Sequence, residues 1–148
     1  MDKLDGEISR LVTAHGTLRP AEADALARES LGAYTNSLYR SLRNTERRLE
    51  LAARLDAADA VSALLTALFA LERRVRPFNK YLRWELATHP LDACDGEELL
   101  ALVDAALDGG TQAQHELLRG VEPHLRGHGL GETIDEWEPH VAFLRGAA

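Results

Sequence analysis

The chain has 148 residues, of which 45% are hydrophobic, 28% charged and only 5% aromatic, and its formal net charge is −7. A chain of about 150 residues fits one domain and buries a core without disulfide or metal cross-links. Leucine (26) and alanine (23) dominate, whereas isoleucine (2), valine (6) and threonine (8) are scarce. Because leucine and alanine favour helices and β-branched residues favour sheets, an all-β fold is excluded and we expect an all-α protein.

The cysteine content, the apolar runs and the first residues of the chain exclude further classes of protein. The single Cys94 excludes an internal disulfide or a multi-cysteine zinc site and is typical of a reducing compartment. No apolar run reaches the ~18–20 residues that a membrane span needs, and the first residues lack the pattern of a signal peptide. The spacing of the six histidines does not fit a zinc site either. We therefore expect a cytoplasmic protein with no membrane contact and no metal site.

Residues 1–19 are predicted to be a lead-in or junction segment, and residues 20–148 a single helical-bundle domain with its core in 20–126. The ends of the predicted helices are marked by three signals. These are a proline at the first helical position, a glycine after the last one, and a residue that precedes a proline. The predicted helices run from Pro20 to about Leu49, from Leu51 to Val75, from Pro77 to about Thr88, from Leu99 to Leu107, from Thr111 to about Arg126 and from Asp135 to Leu144. The expected fold is an antiparallel helical bundle built on a four-helix up-and-down core, with one or two extra short C-terminal helices.

Apolar residues recur at spacings of three and four along the first two predicted helices, as expected of helices that pack on a core. The first helix carries Leu31, Thr35, Leu38, Leu42, Thr45 and Leu49 at these spacings, and the second carries Leu55, Ala58, Leu65, Leu68, Phe69 and Leu71. From these two sets we expect one group to be buried together: Leu38, Leu42, Leu65, Leu68 and Phe69.

Charge is distributed unevenly along the chain. Residues 36–86 hold ten Lys or Arg and six Asp or Glu, a net +4, and the rest holds seven and eighteen, a net −11. A general nucleic-acid binder is usually basic overall, so that function is not expected. The basic middle of the chain is suited instead to a small anionic ligand.

The stretch from Arg73 to Trp84 contains five positive charges and no negative one. If a helix begins at Pro77, the free amides of its first turn attract anions. The predicted substrate- or anion-binding residues are Arg73, Arg76, Asn79, Lys80, Tyr81, Arg83 and Trp84. The alternative is that the charges pair with the acidic helices and that Trp84 belongs to the core.

A second polar set lies on the first two predicted helices. Its members on the first helix fall at spacings of three and four, and two aspartates share a face of the second helix. The set comprises Asn36, Tyr39, Arg40, Arg43 and Arg47, together with Asp56 and Asp59. In antiparallel helices, Arg40 or Arg43 is expected to meet one of these aspartates. The network either orients a ligand or is a buried ion pair that fixes the helix register.

Several ordered motifs resemble the C-terminal region of bacterial nucleotidyltransferases. They are Asp2–Gly6, Tyr34–Ser41, Ala52–Ala58, Leu68–Leu82, Trp84–Leu86 and His89–Leu91. The resemblance is good over about residues 1–91 and looser beyond. It implies a helical domain that follows a polymerase-β-like catalytic domain, similar to the HEPN-related substrate-binding bundles of kanamycin nucleotidyltransferase-like proteins.

That family's catalytic domain carries a Gly-Ser dipeptide and an Asp-x-Asp metal pair on a strand. This chain has no Gly-Ser, and Asp56 and Asp59 are three residues apart on a predicted helix. We therefore expect no catalytic residues and no cofactor in this chain, with Mg²⁺ and a nucleoside triphosphate required only through a catalytic domain that the chain lacks. Alone it is expected to be inactive.

The leading hypothesis is a non-catalytic substrate-binding domain that orients an acceptor, and optionally nucleotide phosphates, for a nucleotidyltransferase-like catalytic domain. The alternative is a helical interaction or dimerisation module of the HEPN-like, toxin–antitoxin type, whose partner is another protein or a second copy of the chain. A HEPN-type ribonuclease ranks third. Arg119 and His124 have a fitting spacing, but Pro123 and Gly120 disfavour the geometry that this chemistry needs.

Overall fold

The structure, a computed structural model, describes residues 16–147 of the chain. Within that range the chain forms seven α-helices and one 3₁₀ turn, and strand-type pairing is limited to a single bridge between Thr17 and Arg74. The helices are α1 (Pro20–Glu46), α2 (Glu50–Leu71), α3 (Leu82–Thr88), α4 (Gly96–Leu107), α5 (Thr111–Gly127), α6 (Gly131–Asp135) and α7 (Val141–Leu144), and the 3₁₀ turn is Asn79–Tyr81. The predicted all-α class is confirmed. Residues 1–15 of the predicted lead-in segment lie outside the described residues.

Four of the helices form the body of the bundle. The helices α1 and α2 pair extensively, α4 pairs with α5, and contacts of α2 with α4 and of α1 with α5 close the arrangement. The short helices α6 and α7 pack on α1. This is the predicted four-helix core with two short C-terminal helices. None of the helices in residues 16–147 is both long and apolar enough to cross a membrane.

The second helix ends at Leu71, so its predicted extension to Val75 is wrong. Arg73 has a positive φ of 58°, and the Arg74 amide donates to the Phe69 carbonyl at 2.9 Å, which closes the helix end. The chain then pairs with residues 16–18, because the Val75 amide donates to the Gly16 carbonyl at 3.0 Å. The bend therefore anchors the start of the described chain to the end of α2.

The predicted helix from Pro77 begins late. Phe78 has an extended backbone with ψ of 145°, and the 3₁₀ turn precedes α3, which starts at Leu82. Because this extended residue intervenes, the amides of Phe78–Lys80 do not form the first turn of an α-helix. The expected anion site at a helix N-terminus is therefore absent from this segment.

The predicted C-terminal helix from Asp135 to Leu144 is two helices, α6 and α7, separated by residues 136–140. Pro139 lies within that interval. Proline has no amide hydrogen to donate and disfavours helical geometry in Glu138 before it, so one continuous helix cannot form.

The predicted core group is confirmed, since Leu38, Leu42, Leu65, Leu68 and Phe69 are at most 2% exposed and belong to one cluster. The apolar face predicted at the start of α2 is wrong: Ala58 is exposed, and so is Leu55, which is 59% exposed. Thr45 and Leu49 at the end of the first predicted helix are exposed too. Alanines form the contact surface here instead, namely Ala53, Ala57 and Ala60. Small side chains allow α1 and α2 to approach closely, which leaves larger residues at the rim.

Candidate functional site: a groove between the first two helices

A surface groove of about 620 Å³ lies between the C-terminal half of α1 and the N-terminal half of α2. We call it the α1–α2 groove. Its lining residues are Tyr39, Arg40, Arg43, Asn44 and Arg47 on one side and Ala52, Leu55, Asp56 and Asp59 on the other. The groove thus brings together most of the predicted polar set. Asn36 of that set is exposed and does not line the groove.

Asp56 is the buried anchor of the groove. It is 7% exposed, Arg40 Nη2 lies 3.1 Å from its Oδ1 atom, and Asn44 Nδ2 donates to its Oδ2 atom at 2.8 Å. The pairing between Arg40 and an aspartate of the second helix follows the antiparallel arrangement that the sequence predicts. Because both carboxylate oxygens have partners, Asp56 fixes the relative position of α1 and α2.

Arg43 is held in place by aromatic rings and by Glu46. Its guanidinium lies 4.1 Å from the centre of the Phe143 ring and 5.2 Å from that of Tyr39. Arg43 Nη1 donates to Glu46 Oε2 at 2.8 Å, and Nε donates to the Tyr39 hydroxyl at 3.3 Å. These bonds, that to Glu46 first, raise the pKa of Arg43. Its charge is therefore oriented and partly balanced before any ligand arrives.

Aromatic side chains from α7 and from the segment before it contact Tyr39, one of the lining residues of the groove. The centre of the Tyr39 ring lies 5.4 Å from the centre of the Trp137 ring and 5.9 Å from the centre of the Phe143 ring. Sequence reasoning missed Trp137 and Phe143, because no spacing pattern links residues a hundred positions away from Tyr39 to its face of α1. Their contribution depends on the C-terminal helices packing on α1.

Arg47 and Asp59 differ from the other charged residues of the groove. Both are exposed, and neither side chain has a hydrogen bond or ion pair within residues 16–147. Between them the surface is partly apolar, because Leu55 and Ala52 also line the groove. Among the described residues, Arg47 and Asp59 thus leave a cation and a carboxylate of the groove unpaired beside a hydrocarbon surface, an arrangement suited to a small polar ligand.

The side chains of the predicted basic segment contact different partners. Arg73 Nε donates to the Leu18 carbonyl at 3.0 Å, and Arg83 Nη1 lies 3.3 Å from Glu97 Oε2. The ammonium of Lys80 lies 4.9 Å from the centre of the Tyr81 ring. Of the seven predicted residues, Arg76 and Asn79 are joined by a direct hydrogen bond, from Arg76 Nη2 to Asn79 Oδ1 at 2.6 Å.

Trp84 lies at the surface, where it is 61% exposed. The alternative interpretation that this residue belongs to the core is therefore wrong. Phe78 is 80% exposed and Tyr81 50% exposed on the same short segment. The chain has eight aromatic residues, so three exposed ones within seven positions are a local concentration.

The third-ranked enzyme hypothesis depends on Arg119 and His124. Arg119 is exposed on α5, and its side chain has no partner within the described range. The Nε2 atom of His124 is buried and likewise unpartnered there, and its pKa is lowered by burial and by the nearby His128. Across residues 16–147 no three His, Cys, Asp or Glu side chains are arranged to hold a metal ion. No hydrogen bond therefore joins Arg119 to His124 in the described structure.

Comparison with known proteins identifies no relative: no protein-family model, no curated protein and no solved structure matches the chain. The resemblance to nucleotidyltransferase C-terminal regions therefore stays a prediction from the sequence motifs.

Proposed function

We propose that this chain is a non-catalytic helical domain that binds a small polar ligand in the α1–α2 groove and orients it for a nucleotidyltransferase-like catalytic domain. One observation carries the proposal. Arg47 and Asp59 are unpaired within the described residues, whereas Arg40, Arg43 and Asp56 in the same groove already have partners. Charges with internal partners hold the groove together, and unpaired charges on a concave surface are available to a ligand.

The ligand class follows from the two free groups. An anionic group fits Arg47, because a guanidinium binds phosphate or carboxylate through two parallel hydrogen bonds. An ammonium or a hydroxyl group fits Asp59, because an ionised carboxylate accepts hydrogen bonds. The carbon skeleton between them would lie on Leu55, whose side chain is 59% exposed.

The association with a catalytic domain is supported by the position of the sequence motifs. Two stretches that resemble the nucleotidyltransferase C-terminal region, residues 34–41 and 52–58, also supply Tyr39, Arg40 and Asp56 to the groove. A substrate-binding role would place the motifs and the ligand site on the same helices. The acceptor would then be the molecule that carries both a negative and a positive or hydroxyl group.

Phosphoethanolamine carries a phosphate and an ammonium group and serves as the probe. We expect it to bind the full chain in a calorimetric titration, and we expect Arg47→Gln and Asp59→Asn each to weaken binding about tenfold, because a hydrogen bond to a charged group contributes about 1.5–3 kcal/mol. Arg119→Gln is the matched control, since Arg119 is exposed and unpartnered in the described range but lies on α5. Inorganic phosphate and ethylamine should each bind more weakly. Equal binding by all variants would contradict the proposal.

A separate expectation concerns catalysis. With a nucleoside triphosphate, Mg²⁺ and an acceptor, the chain should release no pyrophosphate, because Asp56 is engaged by Arg40 and Asn44 and does not form a two-metal carboxylate pair with Asp59. A coupled pyrophosphate assay would check this. Turnover that survives purification and disappears in Asp59→Asn would show that the chain has a metal site of its own.

A further inference from the structure

Arg76 makes an unusual set of contacts where the chain leaves α2. Its Nη1 atom donates to the Ser62 carbonyl at 3.0 Å and to Ser62 Oγ at 2.7 Å, and its Nη2 atom donates to Asn79 Oδ1 at 2.6 Å. All three acceptors are neutral. Burial lowers the pKa of Arg76, and no carboxylate within the described residues pairs with it.

A partly buried cation without a counter-ion is unfavourable, and such a group gains free energy when an anion binds to it. A guanidinium has five N–H groups, and the contacts above occupy Nη1 and part of Nη2. The Nε–H group of Arg76 has no acceptor within residues 16–147. Ser62 and Asn79 therefore orient the guanidinium while leaving donors free for a ligand.

Three exposed aromatic side chains follow Arg76 within eight residues of the sequence. Phe78, Tyr81 and Trp84 are exposed by 80%, 50% and 61%. Lys80 is exposed, has no carboxylate partner in the described structure, and lies against the Tyr81 ring. We call these five residues, Arg76, Phe78, Lys80, Tyr81 and Trp84, the aromatic–basic surface. It combines uncompensated positive charge with rings on which another ring can stack.

We propose that the aromatic–basic surface binds an anionic group attached to a flat ring. The anion, a phosphate or a carboxylate, is bound by Arg76 and Lys80, and the ring stacks on an exposed aromatic side chain, with Trp84 as the largest. Stacked aromatic pairs contribute beyond the area that they bury, so the ring and the anion reinforce each other. The surface does not need the helix N-terminus that the sequence predicts, since the fixed guanidinium supplies the donors.

This surface is distinct from the Arg47 end of the α1–α2 groove. Ser62, which holds Arg76, lies one helical turn after Asp59 on α2, whereas Arg47 lies at the other end of the groove, beyond the end of α1. Arg47 is therefore the groove residue whose substitution should leave the aromatic–basic surface unaffected. The two proposals can fail independently.

Phenyl phosphate is the probe, and Trp84 is the reporter. The chain has two tryptophans, so Trp137→Phe in the full chain leaves Trp84 as the sole tryptophan. We expect phenyl phosphate to quench its fluorescence saturably, and Arg76→Gln to raise the dissociation constant about tenfold. Arg54→Gln is the matched control, because Arg54 is an exposed arginine of α2 with no side-chain partner within residues 16–147. Arg47→Gln should also bind phenyl phosphate normally.

Further probes separate the contribution of the ring from that of the anion, and they identify the source of the ligand. Inorganic phosphate and phenol should each bind at least about tenfold more weakly than phenyl phosphate, and binding should weaken with added salt. A nucleoside monophosphate and phosphotyrosine then distinguish a nucleotide from a modified protein side chain as the source of the aromatic anion. Lys80→Gln, at an exposed position, provides a second weakened variant if Arg76→Gln alters the unfolding transition.

The proposal is overturned if phenyl phosphate causes no saturable quenching, if Arg54→Gln and Arg76→Gln have equal effects, or if inorganic phosphate binds as tightly as phenyl phosphate. A change of Trp84 fluorescence with protein concentration alone would also overturn it, because it would show that a second copy of the chain covers the surface.

Discussion

Leu68→Ala is expected to lower the free energy of unfolding by about 2–5 kcal/mol, because it removes a large side chain from a closely packed core. Leu68 is fully buried in α2 and belongs to the cluster that joins α1, α2, α4 and α5. Leu51→Ala is the matched control, since Leu51 lies on the same helix but is 72% exposed. That control should change the free energy by no more than about 0.5 kcal/mol.

Urea unfolding followed by far-UV circular dichroism would measure both variants. The comparison separates burial from helix propensity, because the two substitutions are chemically identical and lie on one helix. If both variants lost the same stability, the packing described for α2 would be wrong.

Glu122→Gln is expected to destabilise the protein by about 1–3 kcal/mol, because it removes the carboxylate that binds two arginines. Glu122 is 8% exposed; Arg145 Nε donates to its Oε2 atom at 2.8 Å, and Arg126 Nε donates to its Oε1 atom at 3.0 Å. Glu116→Gln is the control, since Glu116 lies on the same helix, is exposed and accepts a hydrogen bond from Gln112.

The ion pairs of Glu122 with Arg126 and Arg145 also predict how the stability of the protein depends on pH. The hydrogen bond from Arg145, followed by that from Arg126, holds the pKa of Glu122 below its usual value despite burial. A carboxyl with a depressed folded-state pKa contributes stability that is present above its unfolded value of about 4.3 and is lost as the pH falls through the folded value. The parent protein should therefore lose stability below about pH 4.3 more steeply than Glu122→Gln. Parallel acid titrations of the two proteins in urea would test this, and identical slopes would contradict it.

The fold class and the centre of the core were predictable because they depend on short-range periodicity. Leu38, Leu42 and Leu68 recur at helical spacing, and burial of one face follows from that spacing alone. The ends of the helices were harder to predict. Arg73 adopts a positive φ of 58°, a conformation usually taken by glycine, so nothing in its residue type indicated that α2 ends two residues earlier.

The candidate site was predictable where it depends on neighbouring helices. The pairing of Arg40 with Asp56 follows from two antiparallel helices joined by a short turn. The position of Arg43 against Phe143 does not, because it requires α7 to pack back on α1 from a hundred residues away. The bonds between Glu122 and Arg145 depend on a similar long-range approach.

The basic segment shows why counting charges does not locate a binding site. Arg74 and Arg76 are two residues apart and equally charged, yet Arg74 Nη2 donates to Glu85 Oε1 at 2.7 Å, whereas Arg76 is bound by neutral groups. Which charge stays uncompensated is decided by the side chains that the fold brings into reach. That difference separates a structural ion pair from a candidate ligand contact.

The most direct measurement of ligand binding in the α1–α2 groove follows the arginine Nε–Hε signals by NMR while phosphoethanolamine is added to the full chain. We expect the Arg47 signal to shift saturably and the Arg119 signal not to move. The Asp59→Asn variant should need about tenfold more probe for the same Arg47 shift. A saturable shift confined to arginines outside the groove, with Arg47 unchanged, would contradict this expectation.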